Sequence, residues 1–313
     1  MRHILSVILL LTFVSSCSSQ LDEQLAYALD LSKDNKPELE KVIDHYAYCR
    51  QKHEAACWLI ANMLGHSTMW SEGIQAFADS VMRQRLSQER GNQLWDSLLR
   101  ISSQPHKQRD IETLSAEFLI DNIDRAFKTW EESPWRDEVN FDRFKKFVLP
   151  YRSDNELLRI GWRDSLICTY ASVVNGSKTA KEAFERLRTA VNSVKRNGKY
   201  DFPYVMDAVA LRNHYSGVCL ERCVYFAAVC RAFGLPVVID NCGRWANYSN
   251  NSHTWVALIL EGGTYTIVDS DSIAKKNNII DASTFTLRQT MPEWYPYTSE
   301  FKKRLVKVWR QTY

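Results

Sequence analysis

Cys219, His253 and Asp269 are the residues whose types, order and spacing together can do chemistry in this chain. Cys219 begins an apolar-rich run that closes with Gly234 and Pro236, the signal of a helix C-terminus. A thiol in the first turn of such a helix sits at the positive end of the macrodipole, which favours the thiolate. His253 opens the run His253-Thr254-Trp255-Val256-Ala257-Leu258-Ile259-Leu260, and after Glu261-Gly262-Gly263 a second run leads from Thr264 to Asp269. Strands joined by so short a turn must pair antiparallel. His253 and Asp269 then fall at or near facing positions, depending on register. A thiol, an imidazole and a carboxylate are the parts of an activated nucleophile. His253 would take the thiol proton and return it to a leaving amine. Asp269 would orient the imidazole and stabilise its cation, and Asp271, on the same strand face, competes for that role.

The pattern resembles the transglutaminase-like superfamily, the papain-like group of transglutaminases, bacterial cysteine peptidases and peptide N-glycanases. In that family the nucleophile follows glycine in Gly-x-Cys, as in Gly217-Val218-Cys219. Small residues usually follow at four and eight positions, and Arg-x-x-Gly-x-Pro ends the helix; here these are Cys223, Ala227 and Arg231 through Pro236. The family's His-x-Trp-Val is matched by His253-Thr254-Trp255-Val256, and its strand-ending acid by Asp269. Cys223 replaces the commoner alanine, and Val237-Val238 stands where many members carry Ala-Arg. The resemblance covers residues 200–272 and implies an amide-cleaving or amide-transferring thiol enzyme. Its substrate would be a peptide, a peptidoglycan stem or a glycopeptide, and it implies no cofactor or metal.

Residues 1–16 read as a lipoprotein signal peptide. Arg2 and His3 lead an apolar run from Ile4 to Val14, and Val14-Ser15-Ser16-Cys17 resembles a bacterial lipobox. That run is too short to span a bilayer, which takes about 20 residues. Processing would leave Cys17 acylated at the new N-terminus, tethering an extracytoplasmic protein to a membrane, with the outer membrane expected. Removing residues 1–16 takes away Arg2 and lowers the net charge from +3 to +2. With no basic stripe interleaved with aromatics, nothing points to nucleic acid.

With Cys17 committed to lipid, Cys49, Cys57, Cys168, Cys219, Cys223, Cys230 and Cys242 remain. An odd number cannot all pair, which suits a reactive thiol. Cys219, Cys223 and Cys230 share one helix face, so the latter two read as small core residues beneath the nucleophile. A zinc site from Cys219, Cys223, Cys242 and His253 lacks a close-set ligand pair. A redox role for Cys219 and Cys223 lacks the Cys-x-x-Cys spacing. An oxyanion donor is sought in the Cys219 backbone amide and among Asn213, His214 and Tyr215.

The elements that must position these groups read as α+β: a helical N-terminal region, residues 17–150, and a papain/transglutaminase-like domain with an antiparallel sheet, residues 151–313. The N-terminal helices resemble those preceding this domain in lipoproteins of gut Bacteroidetes. A break falls at Ser133-Pro134-Trp135, and Leu149-Pro150-Tyr151-Arg152 ends the next short helix. Helices are expected at 155–174 and 179–196, the second capped by Thr179. Residues 199–218 read as loop with short turns leading to Cys219. Strands are expected only after residue 236, at Val237–Asp240, 253–260 and 264–271, with a strand-like C-terminal segment. The polar stretch Cys242–Ser252 is a candidate lip over the site. Most of the 10 tryptophans fall on apolar helical stripes and are expected in the core, Trp245 excepted. A surface scaffold binding peptide or glycan in the same cleft is the competing function.

Overall fold

The computed structural model describes residues 20–194, 199–214, 219–243, 252–266, 308–311 and 313. The first two thirds are helical: α1 (residues 20–31), α2 (Lys36–His45), α3 (Arg50–Ala61), α4 (Glu72–Arg83), α5 (Gln88–Ile101), α6 (Ala116–Glu132), α7 (Phe141–Phe147), α8 (Trp162–Val174) and α9 (Ala180–Ser193). A short α10 (Ala208–Leu211) leads to α11 (Cys219–Ala232). Side-chain caps account for many of the starts. Ser71, Ser87, Ser115, Asn140 and Thr179 each accept the backbone N–H three residues on, from Ile74, Arg90, Phe118, Arg143 and Glu182. Such a bond satisfies an amide that has no helical partner. The Thr179 cap was legible in the sequence; the Ser87 start, which separates α5 from α4, was not.

Strands are not confined to the region after 236. β1 (Ser67–Trp70) pairs antiparallel with β2 (His106–Arg109), Ser67 facing Arg109 and Trp70 facing His106. Both are four residues long with two helices between them, so no local pattern announces the pairing. The main sheet holds β3 (Val237–Cys242), β4 (His253–Leu260), β5 (Gly263–Thr266) and β6 (Trp309–Gln311), in the order β5-β4-β3-β6. All its pairings are antiparallel. β6 closes one edge of the sheet, and its Arg310 holds Asp240 of β3 through two N–H···O bonds of 2.8 Å. Among the residues 199–218, read as loop with short turns, one turn is the short helix α10, capped by Asp207.

α11 is the hub. Every residue from Cys223 to Ala232 is buried, as befits a helix apolar on all sides, and it packs on α6, α8, α9, α10, β3 and β4. Its end is a Schellman motif: Leu235 N–H donates to Cys230 C=O at 3.0 Å and Gly234 N–H to Arg231 C=O at 3.1 Å. Gly234 takes φ +72°, and a Cβ there would meet the Trp130 backbone at 3.3 Å. The hydrophobic core is one cluster that runs from Ala28 through Leu258. Tryptophans 95, 130, 135, 162 and 255 are buried in it or beside it, whereas Trp309 is exposed; Trp245 and Trp294 lie outside the described residues.

Charged groups cross this core. Arg163, fully buried on α8, donates to Asn122 Oδ1 of α6 at 2.9 Å, to Val148 C=O at 2.8 Å and to Arg231 C=O of α11 at 2.6 Å. Arg152 makes a buried pair with Asp110, both contacts 2.7 Å. Buried Arg231 donates to Arg152 C=O at 2.7 Å and Ser153 Oγ at 2.9 Å. Carbonyl acceptors around a buried guanidinium satisfy most of its donors, Arg231 Nε being an exception among the described residues, and this lowers the large cost of removing it from water.

Candidate active site

α11 begins at Cys219 and β4 at His253, and the fold brings the two side chains together. The Cys219 thiol is half-buried and hydrogen-bonded to the His253 imidazole. That bond holds the thiol below its ordinary range, opposed by partial burial and aided by bonds from Thr254 and by the imidazole's charge. The helix start adds a favourable positive potential. A thiol so placed can pass its proton to a neighbouring imidazole and act as a nucleophile.

The sheet register explains how the imidazole is aimed. His253 faces Cys242 and Trp255 faces Asp240 across the β3–β4 ladder, so these four residues share one face of the sheet. Trp255 stacks on His253 with ring centroids 6.1 Å apart, limiting the imidazole's rotation. Cys242, fully buried, is pushed up to about 11, mainly by burial. Cys230 is likewise held well above its usual value by burial. Among these neighbouring thiols the environment therefore selects Cys219 for ionisation. No disulfide joins any of the seven described cysteines.

A cleft enclosing about 50 Å³ opens at the sulfur, walled by α9, α11 and β4. Cys219, His253, Thr254, Trp255, Cys223 and Phe226 line it, together with Arg188, Asn192 and Arg222. These last three polar residues were not singled out from the sequence, because the meeting of α9 with the start of α11 is a tertiary fact. The Cys219 backbone N–H lies in the first turn, where amides lack helical acceptors. It is the oxyanion donor that the described geometry offers. Asn213 is used elsewhere, donating to Val81 C=O at 3.0 Å and Met82 C=O at 2.6 Å. His214 is buried, stacked on Tyr200 at 4.1 Å, with Nε2 3.7 Å from Glu221; burial lowers it to about 4. Neither lines the cleft. Tyr215 lies outside the described residues, as do Asp269, Asp271, Cys17 and most of the 242–252 stretch.

The hairpin that leads toward Asp269 is defined as far as Thr266. Leu260 faces Gly263 across the two-residue turn Glu261-Gly262, with Gly262 at φ +81°, so Gly263 already belongs to β5. Among the described residues no group of three or more His, Cys, Asp or Glu side chains is placed to hold a metal ion.

A helix-start thiol bonded to a strand-borne imidazole, in an α+β domain, is the arrangement of cysteine-based hydrolases and transferases. Residues 170–270 match the transglutaminase-like superfamily, and this part of the chain is a domain of that superfamily. The match begins earlier than the 200–272 of the sequence reading and takes in the end of α8 and all of α9. No curated protein and no solved structure matches the chain.

Proposed function

We propose that the protein breaks or transfers an amide bond through a thioester on Cys219. The observation that carries this reading is the hydrogen bond from the thiol to His253 at the head of α11, with the thiol held toward ionisation. Cys219 sulfur, its proton passed to His253, attacks the amide carbonyl carbon. The oxyanion that forms is met by the Cys219 backbone N–H. Collapse breaks the C–N bond, and His253 delivers its proton to the leaving amine. The remaining thioester is attacked by water, giving an acid, or by a second amine, giving a new amide; His253 takes the incoming proton and the thiol is regenerated. Asp269 is assigned to orient the imidazole, with Asp271 as the alternative. A peptide, a peptidoglycan stem or a glycopeptide is the substrate class proposed. The N-terminal sequence supports a lipid tether at Cys17 and an extracytoplasmic site of action, and Cys17→Ser should release the protein from membranes.

The decisive experiment is labelling of the folded protein with stoichiometric iodoacetamide at pH 6, followed by mass spectrometry. Cys219 should be the modified residue. Inert Cys219 at pH 8, or preferential labelling of Cys223, would remove the enzyme reading and leave a binding scaffold.

A further inference from the structure

We infer that a single buried water molecule bridges Arg231 of α11, Trp162 of α8 and Glu156, in a site built between the two helices and the 151–159 segment. No lining residue of this site belongs to the Cys219 cleft, so it is independent of the thiol reading. A cavity of about 20 Å³ lies here, and Tyr151, Ser153, Glu156, Trp162, Ala228 and Arg231 contribute to its lining. Holding one water takes about 10–15 Å³ of such space and two to four polar partners. Trp162 and Arg231 are 4% and 5% exposed. Among the described residues, Trp162 Nε1–H and Arg231 Nε–H are buried donors with no acceptor. The other nitrogens of Arg231 are used, Nη1 on Arg152 C=O and Ser153 Oγ, Nη2 on Val237 C=O. A buried donor without an acceptor is costly. Two of them on the lining of one water-sized cavity point to an acceptor inside it.

Glu156, 5% exposed, supplies the other side of the site. Its Oε1 accepts the Ser153 N–H and its Oε2 the Asp154 N–H, each at 2.7 Å, which leaves each oxygen a lone pair to spare. The carboxylate of Asp207, also in the lining, is engaged by Arg159, Val209 and Ala210. The occupant must therefore accept from two N–H groups and donate to a carboxylate. An anion would face Glu156 and Asp207, and a cation would face the Arg231 guanidinium. Water meets both demands at this volume. Among the described residues no direct bond joins Arg231 to Glu156. Burial lowers Arg231 to about 10, and Glu156 is the first of the charges that oppose this. The water completes that pair, accepting from Nε–H and donating to the carboxylate. It thereby ties the last turn of α11 to the first residue of α8 and to the turn at 153–156.

The test is NMR of the protein labelled with nitrogen-15 in its tryptophans. The Trp162 indole N–H signal is assigned by its loss in Trp162→Phe. In the wild type it should give a cross-peak at the water frequency with opposite signs in NOE and ROE spectra, the mark of a water held longer than the protein tumbles. No cross-peak, or one of equal sign produced by proton exchange alone, overturns the bound water. Glu156→Leu removes the acceptor and fills the cavity, so the cross-peak should disappear; its persistence removes Glu156 from the site and overturns the bridge. Should that variant not fold, the wild-type spectrum still decides. Crystals grown in sodium bromide provide the second measurement. One peak of water density should lie about 2.7–3.2 Å from Arg231 Nε, Trp162 Nε1 and a Glu156 oxygen. A bromide anomalous signal at that position gives the site to an anion and overturns the water, as does the absence of density.

Discussion

At its first turn α11 offers a half-exposed thiol to an imidazole, and the thiol is drawn toward its anionic form. At the other end of this 14-residue helix, in its last turn, the Arg231 carbonyl accepts from the guanidinium of Arg163, a residue with no exposed surface. The same backbone dipole serves both ends: an anion is stabilised where amides lack partners, and a cation where carbonyls do. What separates the two ends is solvent. The thiol end borders a cleft and remains able to change protonation. The guanidinium end is sealed by α6, α8 and the 148–150 carbonyls, and its charge is static. The comparison teaches that one buried helix holds its reactive group in place by being anchored at the other end.

Breaking the thiol end should produce the largest effect and leave stability nearly unchanged. Cys219→Ala or His253→Ala should cut amide turnover by roughly 10³-fold or more, since such pairs act as a unit. Asp269→Asn should cost less, because an orienting acid is the least damaging of three to delete. If Asp271→Asn instead produces the larger loss, the orienting role moves to Asp271. His253→Ala should also move the pH profile of Cys219 alkylation upward, because the first cause of its lowered thiol pKa is removed.

Breaking the buried end should do the reverse. Arg163→Ala leaves a cavity and strips donors from Val148, Leu149 and Arg231 carbonyls. We expect a loss of about 3–5 kcal/mol in chemical denaturation. Where the variant still folds, alkylation of Cys219 should persist. Gly234→Ala tests the same end more gently. It places a side chain at positive φ against the Trp130 backbone and should cost about 1–2 kcal/mol.

The smallest effects sharpen the contrast through pH. The Cys219 thiol is lowered in the folded state, so between its folded value and the ordinary value of 9.0 the folded chain holds fewer protons than the unfolded one. The resulting stability is complete above about pH 9 and is lost as pH falls through the folded value. Denaturation curves of the wild type and Cys219→Ala should therefore converge on acidification and separate on raising the pH. Cys223→Ala should shift stability by about 1 kcal/mol or less and leave Cys219 the reactive thiol.

The site was more legible in the sequence than the scaffold around it. Cys219, His253 and the Gly234-x-Pro236 stop each carry their meaning within a few residues: a helix start, a strand start and a helix end. Thr179 is equally local, since a cap needs only the amide three residues away. The β1–β2 pairing and the strand β6 that clamps Asp240 depend on partners 36 to 42 and 70 residues distant, and were missed or left open.

Local order determined the chemistry of this chain: which thiol heads a helix, which imidazole opens a strand and where each element stops. Tertiary structure alone decided which charges surround them. Arg163 reads as one more helix-surface cation in the sequence, and becomes the buried clasp of α6 to α11. Arg188 and Arg222, on separate helices, meet only at the cleft. Periodicity and caps act over one or two helical turns, whereas burial, and with it the strength of every charge, is set by elements that sequence distance keeps apart.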